Sequence, residues 1–406
     1  MQTALTPEIK QTAIGREADA ILRSCVHCGF CNATCPTFNL LADELDGPRG
    51  RIYLMKQVLE GAPAGRATQL HLDRCLTCLA CESTCPSGVR YGQLLDIGRV
   101  LVDAQVPRPW SERIARRLLR YVLPYAWRFN FLLYFGRLAR PLLPAKLRAN
   151  IPLREPVRSQ PDATRARSVL LLEGCVQPGL APHINTATAR VLDRFGIQTI
   201  SIASAGCCGA MSHHLSVPAE ALDFARRNID AWWPAIEGGA EAIVITASGC
   251  GLFVKDYGHL LRLDERYAAK AARVSMLTKD IGEFIALEPL STLKVKPRKV
   301  AFHSPCTLQH GQKLNGVIEG ILQRCGFILT PVPDAHLCCG SAGTYSLLQN
   351  EISQALLKNK VTALESGAPE MIATANIGCW SHLRTRSGVP VKHWIELLDN
   401  ADYIKY

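Results

Sequence analysis

The sequence contains no apolar run approaching the roughly 18 uninterrupted residues of a membrane-crossing helix, so no spanning segment is expected. It begins MQTALTPEIKQTAIGREADAIL, where no basic start precedes an apolar block. No secretory signal is therefore expected, and the chain is read as cytoplasmic with reduced thiols. A convincing glycine-rich flavin or nicotinamide fingerprint is also missing, because GSAG at 340–343 is too brief to count. Substrate chemistry is thus expected on a partner, not here. Acidic residues are outnumbered 35 to 46, which leaves a formal charge of +11. No recognised nucleic-acid motif accompanies that charge, so no nucleic acid partner is expected.

What the chain has in quantity is cysteine, 17 in 406 residues. A disulfide scaffold suits short secreted domains, and this chain is long and read as intracellular, so metal or redox chemistry is the expectation. The length fits two or three domains.

Eight of the cysteines fall in two runs, CVHCGFCNATCP at 25–36 and CLTCLACESTCP at 75–86. Each position in the second equals one in the first plus fifty. A C-x2-C-x2-C triplet wraps three corners of an iron–sulfur cube from one short loop. In the two-cluster pattern C-x2-C-x2-C-x3-C-P the fourth cysteine ligates the other cluster. Cys25, Cys28, Cys31 and Cys85 are therefore expected to hold one [4Fe–4S] cluster, and Cys75, Cys78, Cys81 and Cys35 the other. Zinc takes two pairs of ligands separated by a longer loop and fits a duplicated triplet poorly. His27 is read as a surface or supporting residue. Arg49 and Arg51 are read either as offsets to cluster charge or as an exposed helix start. Helices are expected at 51–59 and 94–105.

A second repeat is longer. Cys175, Cys207-Cys208-Gly209 and Cys250 recur as Cys306, Cys338-Cys339-Gly340 and Cys379, at offsets of 131, 131 and 129, which points to an internal duplication. Short apolar runs (168–174, 198–204, 241–248; then 298–304, 327–332, 370–375) alternate with helix-like stretches at 184–196 and 314–326. The order implies mainly parallel sheets, with cysteines at the carboxyl ends of strands, where sites form. These eight cysteines suit a further cluster, a metal or a redox-active thiol site, and buried structural cysteines are the competing reading. Cys325 is read as a core residue.

Between the halves, Pro107 to Ser168 carries fourteen Lys/Arg against three Asp/Glu, with aromatics interleaved. Its prolines imply short helices. It is read as a solvated linker, with docking to a partner subunit or to an anionic membrane surface as the other readings. The expected organisation is an α-helical two-cluster ferredoxin-type domain (1–106), a basic connector (107–167) and two duplicated α/β cysteine-rich modules (168–296 and 297–406).

These features together resemble a known family. The first half is similar to the paired ferredoxin-type domain of succinate dehydrogenase-like iron–sulfur subunits. The second half is similar to the cysteine-rich CCG domain of heterodisulfide reductases. The combination resembles iron–sulfur subunits of glycolate oxidase, anaerobic glycerol-3-phosphate dehydrogenase and lactate utilisation systems. CVHCGFCNATCPTF, DELDGPRGRIYLMKQVLEG, HLDRCLTC, NIDAWWPAIEGGAEAIVITASGCG, CTLQHGQKLNG and HLCCGSAGTYSL favour glycolate oxidase. The resemblance implies an electron-transfer subunit beside a flavin (FAD) subunit that oxidises glycolate, and D-lactate with it. Electrons would go to a membrane quinone, with the chain peripheral on the cytoplasmic face of the inner membrane. A glycerol-3-phosphate or lactate dehydrogenase subunit, or a thiol or heterodisulfide reductase acting at the CCG modules, is the alternative. One departure stands out. Neither module carries the C-x2-C ending of heterodisulfide reductases: Gly251-Leu252-Phe253 follows Cys250, and Trp380-Ser381-His382 follows Cys379. His382 is a candidate stand-in ligand, with an ordinary loop histidine as the other reading.

Overall fold

Helix ends in the first hundred residues are marked in the sequence. Thr12 caps α1 (Ala13–Ser24), its hydroxyl accepting from the Gly15 N–H at 2.9 Å. Pro48 opens α2 (Pro48–Leu59), where its missing N–H costs nothing. α3 (Arg66–Asp73) and α4 (Tyr91–Gln105) complete the group. They close on Leu22, Ile52, Met55, Leu59, Leu72, Leu94 and Leu95, and Cys25, Cys75 and Cys81 border that core. The helices expected at 51–59 and 94–105 lie inside α2 and α4. The computed structural model describes residues 1–144, 148, 151–161, 163–293 and 295–399. A few residues of the expected connector (145–147, 149, 150 and 162) and the last seven of the expected second module lie outside the described residues.

The expectation of short helices in the connector is corrected. α5 (Trp110–Val122) and α6 (Ala126–Ala139) run 13 and 14 residues. Prolines punctuate these helices and do not interrupt them: Pro109 precedes α5, Pro124 lies in the turn, and Pro141 follows α6. Arg108 and Arg116 anchor α5 to Asp73 at 2.6 and 3.0 Å, and Arg120 reaches Glu220 at 2.7 Å.

The remainder forms two four-stranded parallel sheets. The first has β1 (Arg167–Leu172), β2 (Ile197–Ile200), β3 (Ile243–Ile245) and β4 (Thr278–Asp280) in the order 2-1-3-4. The second has β5 (Lys299–His303), β6 (Ile328–Leu329), β7 (Met371–Thr374) and β8 (Val391–His393) in the equivalent order 6-5-7-8. Residues 169–172 and 300–303 are buried throughout, as strands covered on both faces must be. Covering helices include α7 (Pro182–Arg194), α8 (Pro218–Glu237), α9 (Ser248–Lys255), α10 (Val317–Cys325), α11 (Asn350–Glu365) and α12 (Ile377–Leu383).

The modules share one apolar core, in which Val169, Leu171 and Val244 of the first continue into Val300, Ile372 and Ala373 of the second. Their strand ends also meet. Ser248, just past β3, donates its N–H to the Ala375 carbonyl at 3.1 Å, and its hydroxyl lies 2.8 Å from that of Thr307.

Candidate metal centres

The two cysteine runs fold alike. His27 and Gly29 in the first, and Thr77 and Leu79 in the second, are left-handed. Alternation of that kind turns successive N–H groups inward as a nest for negative charge. Leu79 holds this conformation at a cost of about 1–2 kcal/mol. Each loop then enters a short helix, Phe30–Ala33 or Ala80–Thr84.

The structure sorts the thiols across the runs. Cys25, Cys28, Cys31 and Cys85 line one cavity together with Phe30, Arg49 and Pro86, and Cys81 stands in its wall. Cys35, Cys75, Cys78 and Cys81 line a second, with Thr37, Arg51 and Tyr91. Cys28 is exposed, whereas Cys35, Cys75, Cys78 and Cys81 are buried.

As bare thiols these groups oppose one another's ionisation. Burial, then charge on Cys25, Cys28 and Cys85, pushes Cys31 up to about 11. Burial drives Cys78 and Cys81 well up, with Cys35 and Cys75 adding to both. Left bare, these thiols stay protonated; a cationic occupant would favour the thiolates, so the sulfurs gathered about each cavity fit a metal cluster.

The surroundings are cationic too. Arg51 is fully buried; it donates to the His71 carbonyl at 2.7 Å and to Thr37 Oγ1 at 3.1 Å, and meets Asp46 at 3.3 Å. Burial opposes its charge, yet Cys75, Tyr91, Cys35 and Asp46 hold its pKa above the usual arginine value. The helix-start reading of Arg51 therefore yields to the charge-offset one. Arg49 pairs with Glu44 at 2.6 Å and lies near Cys31 and Cys28. His27 is exposed beside Tyr53.

Sequence reasoning missed Arg99, Asp46 and Tyr91. Arg99 donates to the carbonyls of Leu72 (2.9 Å) and Cys75 (2.8 Å), bracing the second loop. Its signal was an arginine on the apolar face of α4, in step with Leu95 and Val102. Tyr91 donates to Cys75 Sγ at 3.5 Å.

The longer repeat also gathers. The neighbouring thiols of Cys175 and Cys208 hold Cys207 well below the usual thiol value, while Cys207 and Cys250 raise Cys208. In the second module the Cys306 and Cys338 sulfurs lie 3.8 Å apart, and those of Cys339 and Cys379 lie within 4.8 Å of each other. The CCG glycines have a steric cause. Gly209 and Gly340 are left-handed, and a Cβ there would stand 2.7 Å from the Ala221 carbonyl oxygen and 2.6 Å from that of Ser353.

The copies differ in two respects. The ligand atoms of His303, Cys339 and Cys379 lie within 4.8 Å of one another. His303 ends β5; its counterpart ending β1 is Leu172. His382, the candidate stand-in, meets Ser353 Oγ at 3.1 Å through Nε2, whereas His303 is the histidine grouped with Cys339 and Cys379. Burial pushes His303 down to about 3, leaving a neutral ring whose Nδ1 meets Thr374 at 2.9 Å. The second difference is position. Cys78 packs with Cys338, Tyr345, Ile352 and Leu356, and its charge couples to Cys306. The first module instead meets α4 through His213 and Asp96 at 3.1 Å. Cys325 is fully buried in the common core.

Comparison with known proteins agrees with this layout. Residues 21–89 match the 4Fe-4S dicluster domain family, and residues 169–255 and 300–384 each match the cysteine-rich domain family. The glycolate oxidase iron-sulfur subunit of Escherichia coli (strain K12) is 57% identical over 404 residues, covering 99% of both chains. The chain belongs to the glycolate oxidase iron–sulfur subunit family. A probable glycolate oxidase iron-sulfur subunit of Bacillus subtilis (strain 168) is 29% identical, covering 88% of this chain and 87% of its own. Lactate utilization protein A of Bacillus licheniformis is 26% identical over 57% of this chain and 99% of its own. A solved hypothetical protein from Helicobacter pylori shares the fold, with TM-score 0.55, 10% identity, and coverage of 98% of this chain and 74% of that one. As a member of this glycolate oxidase subunit family, the chain is an iron–sulfur electron-transfer subunit of an oxidoreductase complex, with a dicluster domain consistent with two [4Fe–4S] clusters. Among the described residues no helix is long and apolar enough to cross a membrane.

Proposed function

We propose that the chain takes electrons from an FAD-bearing partner that oxidises glycolate to glyoxylate and delivers them to a membrane quinone. In this reading Cys25, Cys28, Cys31 and Cys85 hold one [4Fe–4S] cluster, and Cys75, Cys78, Cys81 and Cys35 hold the other. A cluster supplies one reversible electron at each site. One observation carries the reading: each triplet lines a cavity with the Cys-Pro cysteine of the other run.

The residues around each cavity divide the labour. Val26, Phe30 and Tyr53 stand exposed around the exposed Cys28 and offer an apolar seat for the flavin partner. The buried set lies under the second module, against Cys306 and Cys338. Cys306, Cys338, Cys339 and Cys379, with His303 alongside, are the stronger candidates for a further redox or metal site. Cys175, Cys207, Cys208 and Cys250 are read as a thiol site. The working units are 1–106, 107–167, 168–296 and 297–406, with the chain peripheral on the cytoplasmic membrane face.

Iron and acid-labile sulfide counts on anaerobically prepared protein test this. About eight irons per chain correspond to two cubes, and a clear excess that falls in a His303→Ala or Cys379→Ser variant assigns metal to the second module. Zinc in place of iron at the 25–85 cysteines would sink the reading.

A further inference from the structure

We propose that α5 and α6 form a docking face for an anionic phospholipid surface. Eleven of the 23 large apolar side chains that stand exposed on the described residues fall between Trp110 and Leu142. They are ordered. On α5 the exposed positions Trp110, Ile114, Leu118 and Tyr121 follow helical spacing, and on α6 Trp127, Phe131, Phe135 and Leu138 do the same.

α5 is also mounted backwards for a water-soluble protein. Its charged residues Glu112, Arg116 and Arg120 turn to the body and pair with Arg66, Asp73 and Glu220, while its apolar stripe faces outward. A helix of this pattern reaches its low-energy state only with an apolar surface outside.

Charge selects the occupant. Between residues 107 and 154 the sequence has one acidic residue, Glu112, and that carboxylate is taken up by Arg66 and Arg108. The exposed positions Arg113 and Arg117 lie within the outward face of α5. The Arg128 guanidinium rests 4.0 Å from the Tyr121 ring centroid and 4.1 Å from that of Tyr125. Arginines beside aromatic rings match a bilayer interface, where rings sit at the acyl boundary and guanidiniums rise to phosphate. A protein partner would need acidic groups placed to meet both guanidiniums within an otherwise apolar contact. At 13 and 14 residues the helices are too short to cross, so they lie in the plane.

The proposal draws on the quinone-delivery reading only in choosing a bilayer, and its test is separate. Full-length, cluster-loaded protein is floated with vesicles of phosphatidylcholine alone or mixed with phosphatidylglycerol. Binding is expected to the mixed vesicles and to weaken with salt. Arg113→Glu with Arg117→Glu should weaken it by about thirtyfold or more. Trp127→Ser with Phe131→Ser and Phe135→Ser should abolish it. Brominated lipid should quench tryptophan emission in the parent, and not in a Trp110→Phe, Trp127→Phe variant. Iron content and dye-linked cluster reduction should stay unchanged in all variants, and these report on the electron-transfer reading independently. Equal binding to neutral vesicles, or vesicle binding unaltered in the variants, would overturn the proposal. So would unaltered vesicle binding with loss of co-purification of the flavin partner, which would make the face a protein interface.

Discussion

Arg51→Met removes a fully buried cation beside the inner thiol set and keeps an unbranched, though shorter, side chain. Arg51 is surrounded by Cys75, Cys35, Tyr91 and Asp46. At an effective dielectric near 20, a unit charge about 4–8 Å away is worth about 2–4 kcal/mol. For a one-electron couple 1.4 kcal/mol corresponds to about 59 mV, so the lower figure is roughly 80 mV. Adding an electron makes the site more negative, and removing a nearby positive charge disfavours that state. The expected outcome is therefore a potential lowered by about 80 mV or more at the site of Cys75, Cys78, Cys81 and Cys35. The site around Cys28 should hardly change. Potentiometric titration followed by electron paramagnetic resonance reads both sites in one sample. Arg51→Lys keeps the charge and loses the planar fork, so it should return most of the potential while leaving Thr37 and His71 less well held. A normal iron count with no shift, or an equal shift at both sites, would refute the electrostatic role of Arg51.

Three further outcomes follow from the geometry. Cys35→Ser should damage the cluster of the 75–81 loop more than that of its own run, visible as selective loss of one resonance signal, and the reverse pattern defeats the crossed assignment. Gly340→Ala forces a left-handed alanine whose Cβ stands 2.6 Å from the Ser353 carbonyl oxygen; a loss of at least about 2 kcal/mol is expected as a lowered Tm, and an unchanged Tm contradicts the packing. Burial raises Asp280 to about 7, whereas the unfolded chain ionises near 3.9. The folded state therefore keeps a proton across that interval, and this contribution to stability fades as pH rises from about 4 through 7. Asp280→Asn keeps an acceptor for the Gly282 N–H, so its stability relative to the parent should improve from pH 5 to 8; parallel profiles would exclude the titration.

Spacing made much of the site legible. A duplicated C-x2-C-x2-C triplet suits a cube better than zinc, and a repeat offset of 131 points to one topology used twice. The starts of α1 and α2 carry local signals at Thr12 and Pro48, which the expected helix at 51–59 did not use. The connector misled, since proline was counted without regard to where it fell. β4 (TKD) and β8 (VKH) were invisible, because a three-residue strand with a lysine at its centre has no pattern of its own and forms by pairing with β3 and β7. His303 was unreadable, and Arg51 left between two readings, for a related reason. Their roles depend on neighbours 36 and 24 residues away in Cys339 and Cys75, contacts that only the tertiary fold creates.

The uneven shelter of Cys28 and Cys78 gives the molecule an outside and an inside for oxidants. In air, attack should proceed from the rim inward, stripping iron first at the surface loop. The sulfurs roofed by Tyr345 and Leu356 should outlast it, so a partly bleached sample would be a record of depth and not of random decay.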